Sequence, residues 1–107
     1  KTVISIYPRF DFLLLAVNQL LNHLDKLDEF THGQFKAKVI VRVGVGATKP
    51  LYPGVQHCGD YTEAFKKMLH LNVVKLCSAA QIFNVYQAFY NLSGSALIVE
   101  DMNLYGT

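Results

Sequence analysis

Four short runs rich in β-branched residues constrain the fold of this chain more than any other feature of its sequence. The runs are Thr2 to Ile6, Lys38 to Val43, Asn72 to Leu76 and Ala96 to Glu100. The second and the fourth are apolar at nearly every position, which is typical of strands buried on both faces of a parallel sheet. Parallel strands require crossover connections, so the segments between the runs are expected to contain helices.

These intervening segments carry helical signals. Leucines recur at helical spacing from Asp11, which is expected to cap a helix, to about Phe30. Residues 60–71 form a second amphipathic segment, and Ser78 followed by Gln81 is a capping-box signature that opens a third. The predicted order is therefore β-α-β-α-β-α-β, which favours an α/β fold with a mainly parallel sheet in a three-layer α/β/α arrangement, within a single domain over residues 1–107.

Composition narrows the function classes. The chain has 107 residues, 51% of them hydrophobic, and a net charge of +2 from scattered basic residues, so nucleic acid is not indicated as a partner. No apolar run approaches the roughly 20 residues of a membrane-spanning helix, and no secretory leader is recognisable. Cys58 and Cys77 lack metal-ligand spacing. We expect a cytoplasmic location, or the mitochondrial matrix in a eukaryote, and no metal held by this chain.

The first predicted strand begins at residue 2 and would leave a parallel edge uncovered. We therefore expect a partial domain that belongs to a longer protein, or a chain that assembles into a homo-oligomer or hetero-oligomer.

A glycine- and proline-rich loop at residues 44–59 follows the second predicted strand. Gly44 and Gly46 suggest a dinucleotide-binding fingerprint, but Lys49 occupies the place of its third glycine, so that interpretation is rejected. Pro53 and Gly54 favour a type II turn, which would hold His57 at a fixed angle. From the residues alone, His57 has either a local hydrogen-bonding role or a functional one.

Aromatic residues cluster where the first predicted strand ends. Tyr7, Pro8, Phe10 and Phe12 are suited to forming a flat wall for a ring-shaped ligand, or the top of the core.

The order of these segments resembles the pyrimidine-binding domain of thiamine diphosphate enzymes. The resemblance rests on RFDFLLLAVNQLLNH, KVIVRVGVG, GVQHCGDYTEAF, NVVKLCSAAQIFNVYQAF and ALIVEDMNLYG, and it covers nearly the whole chain. Within that family the sequence is most similar to the β subunit of 2-oxo acid dehydrogenase E1 components, of the pyruvate and branched-chain type, and to transketolase-like relatives.

The resemblance implies an oxidoreductase site that binds thiamine diphosphate between two domains. It assigns Phe12 to stacking on the pyrimidine ring, with Tyr7, Pro8 and Phe10 lining the same junction, and it makes His57 the histidine that faces the substrate. The diphosphate and Mg²⁺ would be held by a partner, an E1 α-type chain or diphosphate-binding domain, and the substrate would be a 2-oxo acid.

One feature of the family is missing. Its glutamate, which protonates the pyrimidine, belongs to a segment upstream of the first strand, and the sequence begins after that point. We therefore expect this chain to be inactive alone. The main alternative is a non-catalytic interaction module with the same fold; a flavodoxin-like switch domain is less favoured, since acidic residues do not cluster at the strand ends.

Overall fold

The computed structural model describes residues 1–106, so the last residue of the predicted domain lies outside the described part. It contains one sheet of four parallel strands in the order β1-β2-β4-β3, which confirms the α/β class and the parallel sheet. The strands are β1 Val3–Tyr7, β2 Val39–Val45, β3 Asn72–Leu76 and β4 Ala96–Asp101. Each overlaps a predicted run, and β3 coincides with it.

Helical segments connect the strands. They are α1 Phe10–Leu13, a 3₁₀ turn at Leu14–Ala16, a π-helical stretch at Gln19–Leu24, α2 Leu27–Phe30, a 3₁₀ turn at Val55–His57, α3 Thr62–Met68, α4 Gln81–Asn91 and a 3₁₀ turn at Met102–Leu104. The first crossover therefore lies where one continuous helix was predicted, but it is divided into pieces. Leu13 and Leu20 are buried while the adjacent Leu14 and Leu15 are exposed, and the change in helix type lies between the two buried leucines.

Asp11 does not cap this crossover, so that prediction was wrong. The N-cap position of α1 belongs to Arg9, and Asp11 lies in the first helical turn, where its carboxylate is bonded to residues of a distant loop. An acid in the first turn still favours a helix, because it complements the partial positive charge of the helix N-terminus.

The last two helices begin later than the sequence indicated. Asp60 precedes α3 and accepts hydrogen bonds from the backbone N–H and the hydroxyl of Thr62 at 3.0 and 2.5 Å. For α4, Gln81 is the first helical residue, and its side-chain oxygen accepts a hydrogen bond from the backbone N–H of Cys77 at 2.7 Å. The predicted capping box is therefore not formed: Gln81 reaches back to Cys77 rather than to Ser78, and the N-cap position belongs to Ala80, which has no side-chain cap.

Two clusters of buried side chains lie on opposite faces of the sheet because successive residues of β2 point in opposite directions. The larger cluster packs the first crossover and α3 against β2 and β4; it comprises Phe10, Leu13, Leu20, Val41, Val43, Val45, Phe65, Leu69, Leu97 and Val99. The smaller cluster packs α4 through Val85, Tyr86 and Phe89 against Ile40, Leu76 and Ile98. β4 lies between β2 and β3, and its first five residues are buried.

Candidate functional site

Phe12 and His57 meet at the carboxyl end of the sheet. Their ring centroids lie 5.3 Å apart with the ring planes inclined by 50°. Phe12 belongs to α1, directly after the end of β1, whereas His57 closes the 3₁₀ turn of the loop that follows β2. The fold therefore brings together two residues that are 45 positions apart in the sequence. An aromatic face beside an imidazole is a suitable surface for a flat heteroaromatic ligand.

The helical geometry at the start of α1 determines which of the two phenylalanine rings is exposed at the candidate site. Successive helical residues rotate by about 100°, so Phe10 and Phe12 point to nearly opposite sides. Phe10 is completely buried and contacts Tyr61 and Phe65 at centroid distances of 5.4 and 5.0 Å. Phe12 remains 40% exposed. The junction is helical rather than extended, and Phe10 lies in the core while Phe12 offers its ring to solvent.

The loop that carries His57 is anchored at its beginning by Arg9. The guanidinium group of Arg9 donates hydrogen bonds to the carbonyl oxygens of Gly46 and Ala47, the latter at 3.1 Å. Gly46 and Ala47 both have positive φ angles, 79° and 54°, so the chain turns sharply where it leaves β2. Arg9, which directly precedes α1, thus ties this bend to the start of the helix.

The same loop is anchored at its end by Asp11. The carboxylate of Asp11 accepts hydrogen bonds from the backbone N–H of Gly59 at 3.2 Å and from the hydroxyl of Tyr61 at 2.9 Å. The bond to Asp11 raises the pKa of Tyr61, since it stabilises the protonated phenol. Arg9 and Asp11 flank the buried Phe10, so the helix start that presents Phe12 also anchors both ends of the loop that carries His57.

The turn before His57 depends on glycine, although not as a type II turn. Gly54 has φ 98° and ψ 164°, a conformation accessible almost only to glycine, and this ψ differs from the value near 0° of a type II turn. The carbonyl oxygen of Gly54 accepts a hydrogen bond from the backbone N–H of His57 at 3.1 Å. The prediction of a positive φ was correct, and the prediction of the turn type was wrong.

The two remaining predicted site residues lie between the end of β1 and the start of α1. Tyr7 is half-buried and packs against the larger core cluster, and Pro8 is exposed. A Cβ atom at Gly44 would lie 2.8 Å from the carbonyl oxygen of Pro8 and 2.9 Å from the sulfur of Met102. The chain following β1, the end of β2 and the turn after β4 thus meet closely here, and Gly44 permits this contact.

The sequence analysis did not identify a buried polar network beside this edge. Glu100 on β4 accepts two hydrogen bonds from Arg42 on β2, at 3.2 and 3.0 Å, one from Tyr105 at 2.6 Å and one from Tyr86 on α4. The carboxylate is almost completely buried. The signal in the sequence was a charged residue inside each of two otherwise apolar strand runs, because buried charges need partners.

The network perturbs the ionisation of all its members. Burial raises the pKa of Glu100, but the hydrogen bonds from Arg42, Tyr105 and Tyr86 outweigh it and leave the pKa below its usual range. Burial and the hydrogen bond to Glu100 raise the pKa of Tyr105 to about 12 and that of Tyr86 further. The hydrogen bond to Glu100 raises the pKa of Arg42. Glu100 is therefore a fixed anion, engaged on both oxygens.

Three concavities lie elsewhere on the described surface. One of about 340 Å³ lies at the amino ends of the strands beside Asp25 and His70. One of about 190 Å³ lies between β1 and the first crossover, and one of about 370 Å³ lies between β1 and α4. Phe12 and His57 line none of these three.

The candidate site offers an aromatic face but no group of metal ligands. Phe12 has an exposed ring, and His57 lies next to it. Within residues 1–106, no three His, Cys, Asp or Glu side chains are grouped so that they could hold a metal ion.

Among the same residues, no helix combines the length and apolar character that crossing a membrane requires.

No protein-family model matches this sequence, and no curated protein is significantly similar to it.

Proposed function

We propose that this chain supplies the pyrimidine-binding half of a thiamine diphosphate-dependent active site. The enzyme would be of the 2-oxo acid dehydrogenase E1 β type or transketolase-like, with a three-layer α/β/α domain. The single observation that carries the proposal is the pairing of an exposed Phe12 ring with His57 at 5.3 Å, on a loop anchored at both ends.

Each residue has a defined task in this proposal. Phe12 presents its ring face to the aminopyrimidine, and its place beside the fully buried Phe10 keeps its backbone fixed. His57 presents its imidazole to the substrate as a group that can donate or accept a proton. Arg9 and Asp11 hold the loop so that the imidazole stays over the reacting groups. When bound, thiamine diphosphate supplies carbanion chemistry and an electron sink for 2-oxo acids.

A proton donor to the pyrimidine is not provided by the three glutamates of this sequence. Glu29 and Glu63 are exposed on helices α2 and α3, and Glu100 has both oxygens engaged by Arg42, Tyr86 and Tyr105. We therefore expect this chain to be inactive alone. The diphosphate and Mg²⁺ would be held by an E1 α-type partner.

Calorimetric titration of thiamine diphosphate with Mg²⁺ tests the proposal, first into the chain alone and then into a mixture with an E1 α-type partner. Binding is expected only in the mixture. It should weaken at least about fivefold in Phe12→Ala, since a stacked aromatic contributes about 1–3 kcal/mol. Phe35→Ala is the matched control, because Phe35 is an exposed phenylalanine in the linker before β2. Equal weakening in both variants, or no binding in the mixture, would refute the proposal.

The alternative is a non-catalytic interaction module, favoured by apolar residues on the same loop. Leu51, Tyr52 and Val55 are all exposed near His57. If this is the function, an E1 α-type partner would bind the chain equally well with and without thiamine diphosphate, and His57→Ala would leave that binding unchanged.

A further inference from the structure

One face of the sheet is only partly covered. Helix α4 packs over Ile40, Leu76 and Ile98, on strands β2, β3 and β4. On β1, the residues pointing to the same side are Ile4 and Ile6, which remain 51% and 60% exposed. A groove of about 370 Å³ runs between β1 and α4, lined by Ile4, Ile40, Ile82, Phe83, Tyr86 and Tyr90 among others.

Helix α4 carries more apolar surface than its packing uses. Val85, Tyr86 and Phe89 face the sheet, whereas Ile82, Phe83 and Tyr90 form a second stripe that is exposed to solvent. A surface helix with a single buried face normally has polar residues at such positions. Lys38 donates to the carbonyl oxygens of Tyr90 and Leu92, and its ammonium group lies 5.6 Å from the centre of the Tyr90 ring. The end of this stripe is therefore held in place.

The exposed apolar area matches what an interface needs. With 150–250 Å² for a whole aromatic side chain, the exposed parts of Ile4, Ile6, Ile82, Phe83 and Tyr90 amount to roughly 500 Å². A standard interface buries roughly 800 Å² on each partner, of which roughly 60% is apolar, so its apolar part is also about 500 Å². A patch of this size is at the upper end of what monomers display.

We propose that this surface, the α4–β1 face, is where two copies of the chain associate about a two-fold axis. A ridge directly beside a groove is self-complementary under such an axis, because the ridge of each copy can enter the groove of the other. The lining residues of the groove carry no charge. The two cations beside it, Lys38 at Tyr90 and Arg42 at Tyr86, are engaged by backbone carbonyls and by Glu100, so an apolar partner is favoured there. The outer backbone edge of β1 lies beside the same groove and lacks the Lys or Pro that protects many edge strands.

This inference does not depend on the proposed cofactor site, which lies at the carboxyl end of the sheet. The test is sedimentation equilibrium of the whole chain from micromolar to submillimolar concentrations. The expected result is a reversible dimer, with a dissociation constant raised at least about tenfold by Phe83→Glu. Phe35→Glu is the matched control, because Phe35 is 67% exposed and Phe83 is 71% exposed. It should leave the dimer intact, since Phe35 does not line the groove.

A second variant removes dependence on a single substitution. Ile6→Thr keeps a β-branched residue in β1 and should also weaken the dimer, and circular dichroism should show both variants folded. A wild-type chain that stays monomeric at the highest concentration would overturn the inference. A dimer that persists in Phe83→Glu and Ile6→Thr, or one that Phe35→Glu dissociates equally, would also overturn it, because another surface would then be responsible.

Discussion

At the scale of single residues, the carboxylate of Glu100 joins three parts of the fold to β4. It binds β2 through Arg42, α4 through Tyr86 and the C-terminal turn through Tyr105. Removing one partner of a buried charge pair lowers the free energy of unfolding more than losing an exposed pair does, because the remaining charge is left buried without a partner. Arg42 is partly exposed, so water will compensate for part of that loss.

We expect Glu100→Gln to lower the free energy of unfolding by about 2 kcal/mol, below the usual range for a fully buried pair. Glu63→Gln is the matched control. Glu63 lies 3.4 Å from Lys66 in an exposed pair, and its loss should cost less than about 0.5 kcal/mol. Urea denaturation measures both. Equal losses in the two variants would show that burial of Glu100 contributes nothing.

The same residue predicts how stability depends on pH. The folded pKa of Glu100 is lowered from its ordinary 4.5, so the unfolded chain takes up this proton first as the pH falls. The contribution of Glu100 is therefore complete above about pH 4.5 and is lost as the pH falls through the folded value. The stability difference between the wild type and Glu100→Gln should shrink between neutral pH and about pH 3. A difference that stays constant over this range would contradict the lowered pKa.

The residue scale also shows how much of the candidate site the sequence could predict. His57 and Phe12 were proposed as site residues from the resemblance to a known family, and the structure brings their rings together. Arg9 and Asp11 were not recognised as anchors, because their partners lie 37 to 50 residues away and no local pattern indicates them. Pairings of this length are properties of the tertiary fold.

At the scale of elements, the loop over residues 46–59 depends on α1 for its position. We expect Asp11→Ala to release its second end, since Gly59 and Tyr61 both lose an acceptor. The loss of stability should be about 1–2 kcal/mol, with amide exchange at Gly59 faster by about tenfold or more. The nuclear Overhauser contact between the Phe12 and His57 rings should weaken.

Asp28→Ala is the control for this experiment, because Asp28 is an exposed acid on α2. It should change neither the ring contact nor the exchange at Gly59. If Asp11→Ala leaves the ring contact intact, the loop is held by Arg9 and its own turn, and Asp11 has no positioning role.

Strands were more predictable than helices for a physical reason. A strand that is buried on both faces needs only a short apolar run, and β2 and β4 each contain one. The first crossover contains leucines on several sides, so its sequence fits a regular helical period. In the structure, this part of the chain is nevertheless divided into α, 3₁₀ and π segments. The helix type of the first crossover depends on which leucines can pack against the sheet. The spacing of the leucines in the sequence does not reveal this.

At the scale of the whole molecule, the sheet is asymmetric. β2 and β4 are central and mostly buried, whereas β1 is an edge strand with Val3, Ile4 and Ile6 more than half exposed. Protection against hydrogen exchange follows burial and hydrogen bonding, so the amides of β4 and β2 should open only with global unfolding. Those of β1 should exchange through local opening.

This order of protection is best measured in Phe83→Glu, where association through the α4–β1 face is expected to be weak. Amides of β4 should be the most protected and those of β1 the least, by at least about a hundredfold. In the wild type at high concentration, protection of β1 should rise while that of β4 stays the same, because a second copy covers the groove beside β1. Equal protection of β1 and β4 in Phe83→Glu would mean that the exposed edge is already stable in a single copy. The bare face would then need no partner to explain how the sheet is held together.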